Sequence, residues 1–228
     1  MDIKVGDVKK IIRESLGTSP EVVEESYIAQ SKTYDLPTEF LSQKAKRAHF
    51  DKYHAVVSCL NKVAAGMGTV DASAANSDQS SYRSLKIDEI ANLNSVYLHE
   101  MYFANVSDVH SEITMDTLPY MRLERDFGTF DNWQSQFIAC AKSSRGGWAI
   151  TGFSTYLQKF IVFFTDGDSA VIPVGVYPVL VLDMAEHAYY RDYQNDVDTY
   201  IRAMMKEIDW DVVEERVKRS EIIAKAMR

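Results

Sequence analysis

An α+β fold is predicted by three features of this 228-residue chain. Two long stretches carry apolar residues at spacings of three and four, and a polar, structure-breaking segment separates them. Three β-type runs then cluster between residues 148 and 182, with helical patterns before and after them. Helices, then strands, then helices is an α+β order, and the alternation expected of a βαβ chain is absent.

Residues 7–16 read as a short amphipathic helix, and Ser19-Pro20-Glu21 as the start of another, with proline at the first helical position. A long helix is expected from about Pro37 to Ala65, where Phe40, Leu41, Ala45, Ala48, Val56, Cys59, Leu60 and Val63 share a helical period. Gly66 to Ser81 is rich in Gly, Ala, Ser, Asn and Asp and reads as an exposed loop. A second helix follows from about Lys86 to Val106, with Ile87, Ile90, Leu93, Tyr97 and Met101 on one face. Two long helices joined by a polar loop form an antiparallel hairpin. Thr129 to Ser143 is a third helix, with Phe130, Trp133, Phe137 and Cys140 on one side. The strands are Trp148–Phe153, Phe160–Phe164 and Val179–Leu182, with Asp166-Gly167-Asp168 as a turn between strands. Helical stretches from Glu186 and from Asp211 close the chain.

Composition bounds what such a fold does. With 46% hydrophobic residues, 13 Tyr and 10 Phe, the chain has the apolar surface for a core and is not a disordered one. Its longest apolar run, Ala170 to Leu182, is too short for a membrane span and contains two prolines and a glycine. The start, Met1 to Asp7, lacks a signal-peptide core, so a cytoplasmic protein is expected. A net charge of −8 disfavours a general nucleic-acid surface. Cys59 and Cys140, far apart and in apolar helical contexts, read as buried thiols of a reducing compartment.

Five histidines are worth placing individually. His49 and His99 fall mid-helix among apolar neighbours. A single such histidine is more often a hydrogen-bonded core residue than a ligand, but facing helices are where bundle metal sites are built. Asp183 ends a buried apolar strand, where a carboxylate is costly unless paired or metal-bound. The four-residue offset to His187 lets both side chains converge if the backbone turns between them. Three imidazoles and one carboxylate form a donor set suited to Fe, Mn or Zn.

These residues sit in motifs that resemble the iron/manganese superoxide dismutases. The motifs are His49-Phe50-Asp51-Lys52-Tyr53-His54, Asn94 to His99, Phe127 to Trp133, Gly146-Gly147-Trp148-Ala149, Leu182 to Tyr190 with Tyr193-Gln194-Asn195, and Ile208-Asp209-Trp210. They occur in the family's order over about residues 37–218. The resemblance implies a helical-hairpin domain at 37–115 and a C-terminal α/β domain with a small antiparallel sheet at 116–228. It leaves 1–36 as a helical N-terminal extension that the family does not explain. It further implies His49, His99, Asp183 and His187 as ligands of one Fe or Mn per chain, and superoxide as substrate. Glu186 and Tyr190 match residues that reach across a homodimer interface, and Trp148 is retained.

Around the ligands the sequence departs from the family pattern. Val57 stands at the gateway tyrosine, Tyr53 at the neighbouring histidine, Phe103 and Ala185 at two tryptophans, and Val197 at an arginine. The glutamine that normally bonds the metal-bound solvent corresponds to Ser95 or falls near Gly167 or Asp168. Tyr53, Ser95 and Asp168 are therefore the candidates for its role. Lys52, with Arg191 as a possible substitute for the lost arginine, would draw in the anionic substrate locally. A superoxide dismutase is the first expectation. The alternative is a metal-binding protein of the same fold whose dismutase activity is weakened or lost.

Overall fold

The computed structural model describes residues 28–106, 111–167 and 171–226. The two helical segments expected before residue 27, together with His110 and Asp168, lie outside the described residues.

The hairpin is present, with shifted ends. Helix α1 spans Gln43–Met67 and α2 spans Ser81–Asn105. Helix α1 starts six residues later than its apolar period suggested because Ser42 caps it, its hydroxyl accepting from the Ala45 N–H at 3.2 Å. The residues before the cap run across the first turn, where buried Lys46 donates to the carbonyls of Leu36 and Thr38. Helix α2 starts earlier than expected because Ser80 caps it on the Arg83 N–H. Only one short 3-10 turn, Ala72–Ala74, interrupts the loop between them.

The buried face of α2 differs from the one its periodicity suggested. Ile87, Ile90, Leu93 and Tyr97 are each about half exposed, and of that row only Met101 is buried. A second row with the same helical spacing, Ser95, Leu98, His99, Tyr102 and Phe103, faces the core. Both rows are apolar enough to pass for the inner face, and the partner helix decides between them. The two cysteines also differ from expectation: Cys59 is exposed and Cys140 only half-buried.

Helix α3, Leu118–Phe127, was not legible from the apolar period. Its signals are Pro119 in the first turn and Gly128 just past the end, at φ +85°. Helix α4, Phe130–Ser143, is capped by Thr129 and buries Trp133 and Phe137 completely.

The strands are β1 (Trp148–Ser154), β2 (Lys159–Thr165) and β3 (Val176–Asp183), ordered β2-β1-β3 and antiparallel throughout. Central β1 is buried along its whole length, and the indole N–H of Trp133 donates to the Thr151 hydroxyl at 2.9 Å. The register places Trp148 opposite Asp183. Residues 155–158 form the tight turn of the β1–β2 hairpin, with Gln158 at φ +54°. Asp166-Gly167 instead begins the longer connection to β3, where the Gly167 N–H is held by the Arg145 carbonyl.

Three helices close the chain: α5 (Glu186–Tyr193), α6 (Val197–Met204) and α7 (Trp210–Ala226). Gln194, at φ +51°, separates α5 from α6 within the helical stretch expected from Glu186. Among the described residues no helix is long and apolar enough to cross a membrane.

Gly147 joins the sheet to the site. A Cβ there would sit 2.1 Å from the Thr165 carbonyl oxygen, and its own carbonyl accepts the Met184 N–H at 2.8 Å. Gly147→Ala is therefore expected to destabilise the fold by about 1–3 kcal/mol, because backbone must move to admit the methyl. Denaturant titration against wild type measures it, and a change within about 0.5 kcal/mol would contradict the contact.

Candidate metal centre

Four side chains from four elements meet at one point. His49 comes from the second turn of α1, His99 from the C-terminal half of α2, Asp183 from the last position of β3 and His187 from the first turn of α5. Each offers one donor atom, and these atoms all lie within 4.8 Å of one another. Asp183 Oδ2 is 3.0 Å from His49 Nε2, 3.1 Å from His187 Nε2 and 3.7 Å from His99 Nε2. The His99 and His187 Nε2 atoms are 3.4 Å apart. Donors about 2.1 Å from a shared ion and 90–120° apart would be separated by roughly 3.0–3.6 Å. Three of the four printed donor separations fall in this range, and small side-chain shifts bring the full set, spread over at most 4.8 Å, around one metal ion.

Neighbouring groups hold each donor in place. The His99 Nδ1–H donates to the Ser95 backbone carbonyl at 2.7 Å, which leaves the Nε2 lone pair facing the cluster. Asp183 Oδ1 accepts the Ala185 N–H at 2.8 Å, so the other oxygen points inward. The backbone carbonyl of Asp183 accepts from the Tyr200 hydroxyl at 2.9 Å, and Tyr200 lies 3.2 Å from the Tyr102 hydroxyl. Aromatic rings seal the rest: Trp148 packs edge-on against His99 at 5.0 Å, and Phe103 against His49 at 4.9 Å. His49 Nδ1 is buried with no hydrogen-bond partner among the described residues. His187 alone of the four retains solvent contact, at 23% side-chain exposure against 0–1% for the others, so the centre opens on its side.

The electrostatics favour a charged Asp183 carboxylate beside neutral His49 and His99. Burial holds His49 below the ordinary histidine range and brings His99 down to about 4, overriding the attraction of Asp183. Burial alone would raise the Asp183 carboxyl, but hydrogen bonds and charge from His187 and His49 outweigh it and hold the group well below the usual carboxylate range. An ionised Asp183 beside neutral His49 and His99 is the protonation state that a cation requires of these groups.

The other candidates are dispersed. Tyr53 is fully buried, its ring 6.3 Å from that of His99. Its hydroxyl accepts the Lys32 backbone N–H at 3.0 Å and donates to the Glu100 carboxylate at 2.9 Å. Burial first, then Glu100, pushes this phenol up to about 12. The Ser95 hydroxyl lies 3.4 Å from His99 Nδ1, beside the carbonyl that already holds that nitrogen. Val57 and Phe103 are buried, Lys52 is half-buried on α1, and Arg191 is exposed on α5. Glu186 is exposed and Tyr190 half-exposed on the solvent side of α5. Sequence reasoning did not identify Tyr102, Tyr200 or Glu100, since no spacing rule connects them to the ligands.

Residues 119–216 match the iron/manganese superoxide dismutase C-terminal domain. The chain is 35% identical over 173 residues to an iron superoxide dismutase of Aquifex pyrophilus, covering 76% of this chain and 80% of that one. The chain belongs to the iron/manganese superoxide dismutase family. Other relatives are an iron superoxide dismutase of Cupriavidus metallidurans, 33% identical over 75% of this chain and 85% of that one, and a manganese superoxide dismutase of Mycolicibacterium fortuitum, 27% identical over 77% and 84%. Both metals occur among these relatives' names.

Acid should loosen the metal-free chain. The folded His99 value of about 4 lies below its ordinary 6.5, so between these pH values the unfolded chain takes up a proton that the native state refuses. Stability is then complete above about pH 6.5 and declines by on the order of 3 kcal/mol as pH falls through 4. Protonation of Asp183 at lower pH acts in the same direction. Thermal melts of metal-free protein from pH 7 to pH 4 check this; a flat profile would contradict a neutral buried His99.

Proposed function

We propose that this chain is a superoxide dismutase that binds one Fe or Mn ion through His49 Nε2, His99 Nε2, Asp183 Oδ2 and His187 Nε2. The observation that carries the proposal is the convergence of these four atoms within 4.8 Å, in a pocket closed except at His187. An iron or manganese ion held there supplies one-electron cycling, in which one superoxide is oxidised to dioxygen and a second, with two protons, is reduced to hydrogen peroxide.

The chain's own residues have distinct tasks in this reading. Asp183 balances part of the ion's charge, and Tyr200 and Ala185 fix its direction. Ser95 sets the His99 tautomer through its carbonyl. The partial opening at His187 suits a diatomic anion, and Lys52 on α1 supplies local positive charge in a chain of net charge −8. The metal would lie between a hairpin domain, 37–115, and a C-terminal domain, 116–228. Glu186 and Tyr190, presented outward on α5, would face a second copy in a homodimer.

A weakened dismutase is the second reading, favoured by one specific feature. The Tyr53 hydroxyl is occupied by Glu100 and Lys32, and the Ser95 hydroxyl sits at His99 Nδ1, so neither is committed to a group bound at the centre. Pulse radiolysis on protein loaded separately with Fe and with Mn decides between the two. Fast catalytic decay of superoxide with either metal supports the dismutase, whereas stoichiometric metal without catalysis supports the second reading.

Two substitutions extend the test. Asp183→Ala should abolish metal retention, measured by elemental analysis of the folded variant, and full retention would remove Asp183 from the ligand set. Tyr102→Phe, which removes one of the two hydroxyls in the chain leading to the Asp183 carbonyl, should lower activity by about 10-fold with metal content preserved.

A further inference from the structure

A cavity of about 420 Å³ lies apart from the metal centre, where the segment preceding α1 crosses α2 and meets the start of β3 and the later turns of α7. Its walls combine three phenols, Tyr34, Tyr97 and Tyr177, with three cations, Lys32, Arg216 and Arg219. None of the four clustered donors lines it. Glu100 is its one carboxylate, and that group is already engaged by the Lys32 ammonium and the Tyr53 hydroxyl.

The two guanidiniums are not neutralised in this way. Arg216 directs three N–H bonds to neutral oxygens, those of Asn105 Oδ1 and the Val179 and Met101 carbonyls. A guanidinium has five N–H donors, so two are left without an acceptor among the described residues. Neither Arg216 nor Arg219 forms an ion pair with a carboxylate among the described residues. Burial brings Arg216 down to about 10, and the neighbouring Arg219 charge adds to the effect against Tyr97, Asp209 and Tyr34. Asp209 acts on Arg216 through its charge but not as an ion pair, so two guanidiniums without a paired carboxylate among the described residues stand beside the cavity.

We propose that this cavity binds a small aromatic carboxylate, its anionic end on Arg216 and Arg219 and its ring against Tyr34, Tyr97 and Tyr177. Guanidinium N–H pairs match the two oxygens of a carboxylate, and phenol rings favour offset or edge contacts with another ring. The site needs both halves of the ligand: an inorganic anion forfeits the ring contacts, and a neutral phenol forfeits the charge.

The test is isothermal titration calorimetry of the full chain with 4-hydroxybenzoate, in metal-loaded and metal-stripped forms. Saturable 1:1 binding in both forms is expected, with 4-hydroxybenzyl alcohol and inorganic phosphate each at least tenfold weaker. Arg219→Gln and Tyr97→Ala, both at exposed positions, should each weaken 4-hydroxybenzoate at least tenfold while thermal melts stay as wild type. Absence of saturable binding, or unchanged binding by the folded Arg219→Gln variant, overturns the proposal. Phosphate binding as tightly as 4-hydroxybenzoate would mean an adventitious ion only, and binding confined to the metal-loaded form would move the ligand to the metal centre. Either overturns it.

Discussion

The carboxylate of Asp183, at the end of a buried strand and with no solvent exposure, is the constraint on which the rest of the structure depends. An unpaired charge at that depth would cost several kcal/mol, and the chain offsets this by surrounding it with polar hydrogens and imidazoles from separate elements. The Ala185 N–H holds it from its own side of the fold, with Tyr200 on the backbone carbonyl of the same residue, while His49 and His99 approach from the hairpin. Packing of the hairpin against the sheet and satisfaction of this one group are therefore the same event. Three nitrogens directed at one oxygen remain crowded without a cation, which links metal retention to folding.

The sheet exists in a form that serves that carboxylate. Fully buried β1 pairs with β2 on one side and β3 on the other, and its first residue, Trp148, stands opposite Asp183 in the register. The same indole forms a wall of the His99 pocket, so one side chain sets both strand register and ligand orientation. Gly147, immediately before it, admits the Thr165 backbone at a distance no side chain would tolerate.

Positive charge is distributed with equal economy. Lys46, buried among carbonyls, secures the chain entering α1, and Arg216 ties α2 to β3 through neutral oxygens. Arg216 also leaves charge at the edge of a cavity one residue away from the clustered donors in sequence, since Glu100 follows His99. Tyr53 bridges the two regions, with its ring beside His99 and its hydroxyl on Glu100.

The residues of this chain determined by themselves the α+β order, the helical hairpin and the identity of the clustered donors, because each is written in local period or in a short motif. The spacing of Asp183 and His187 across a strand-to-helix turn is such a local signal. Which face of α2 lies inward was decided only by tertiary structure, since Ile87–Ile90–Leu93–Tyr97 and Leu98–His99–Tyr102–Phe103 have equally good helical periods and packing chooses between them. The break at Gln194 and the late start of α1 were likewise set by caps and turns that an apolar period does not report. The tyrosine chain from Tyr102 through Tyr200 to Asp183, and the partners of the Tyr53 hydroxyl, were beyond sequence reasoning for the same reason. A hydrogen bond between residues tens of positions apart has no linear pattern and exists only once the helices and sheet have closed around it.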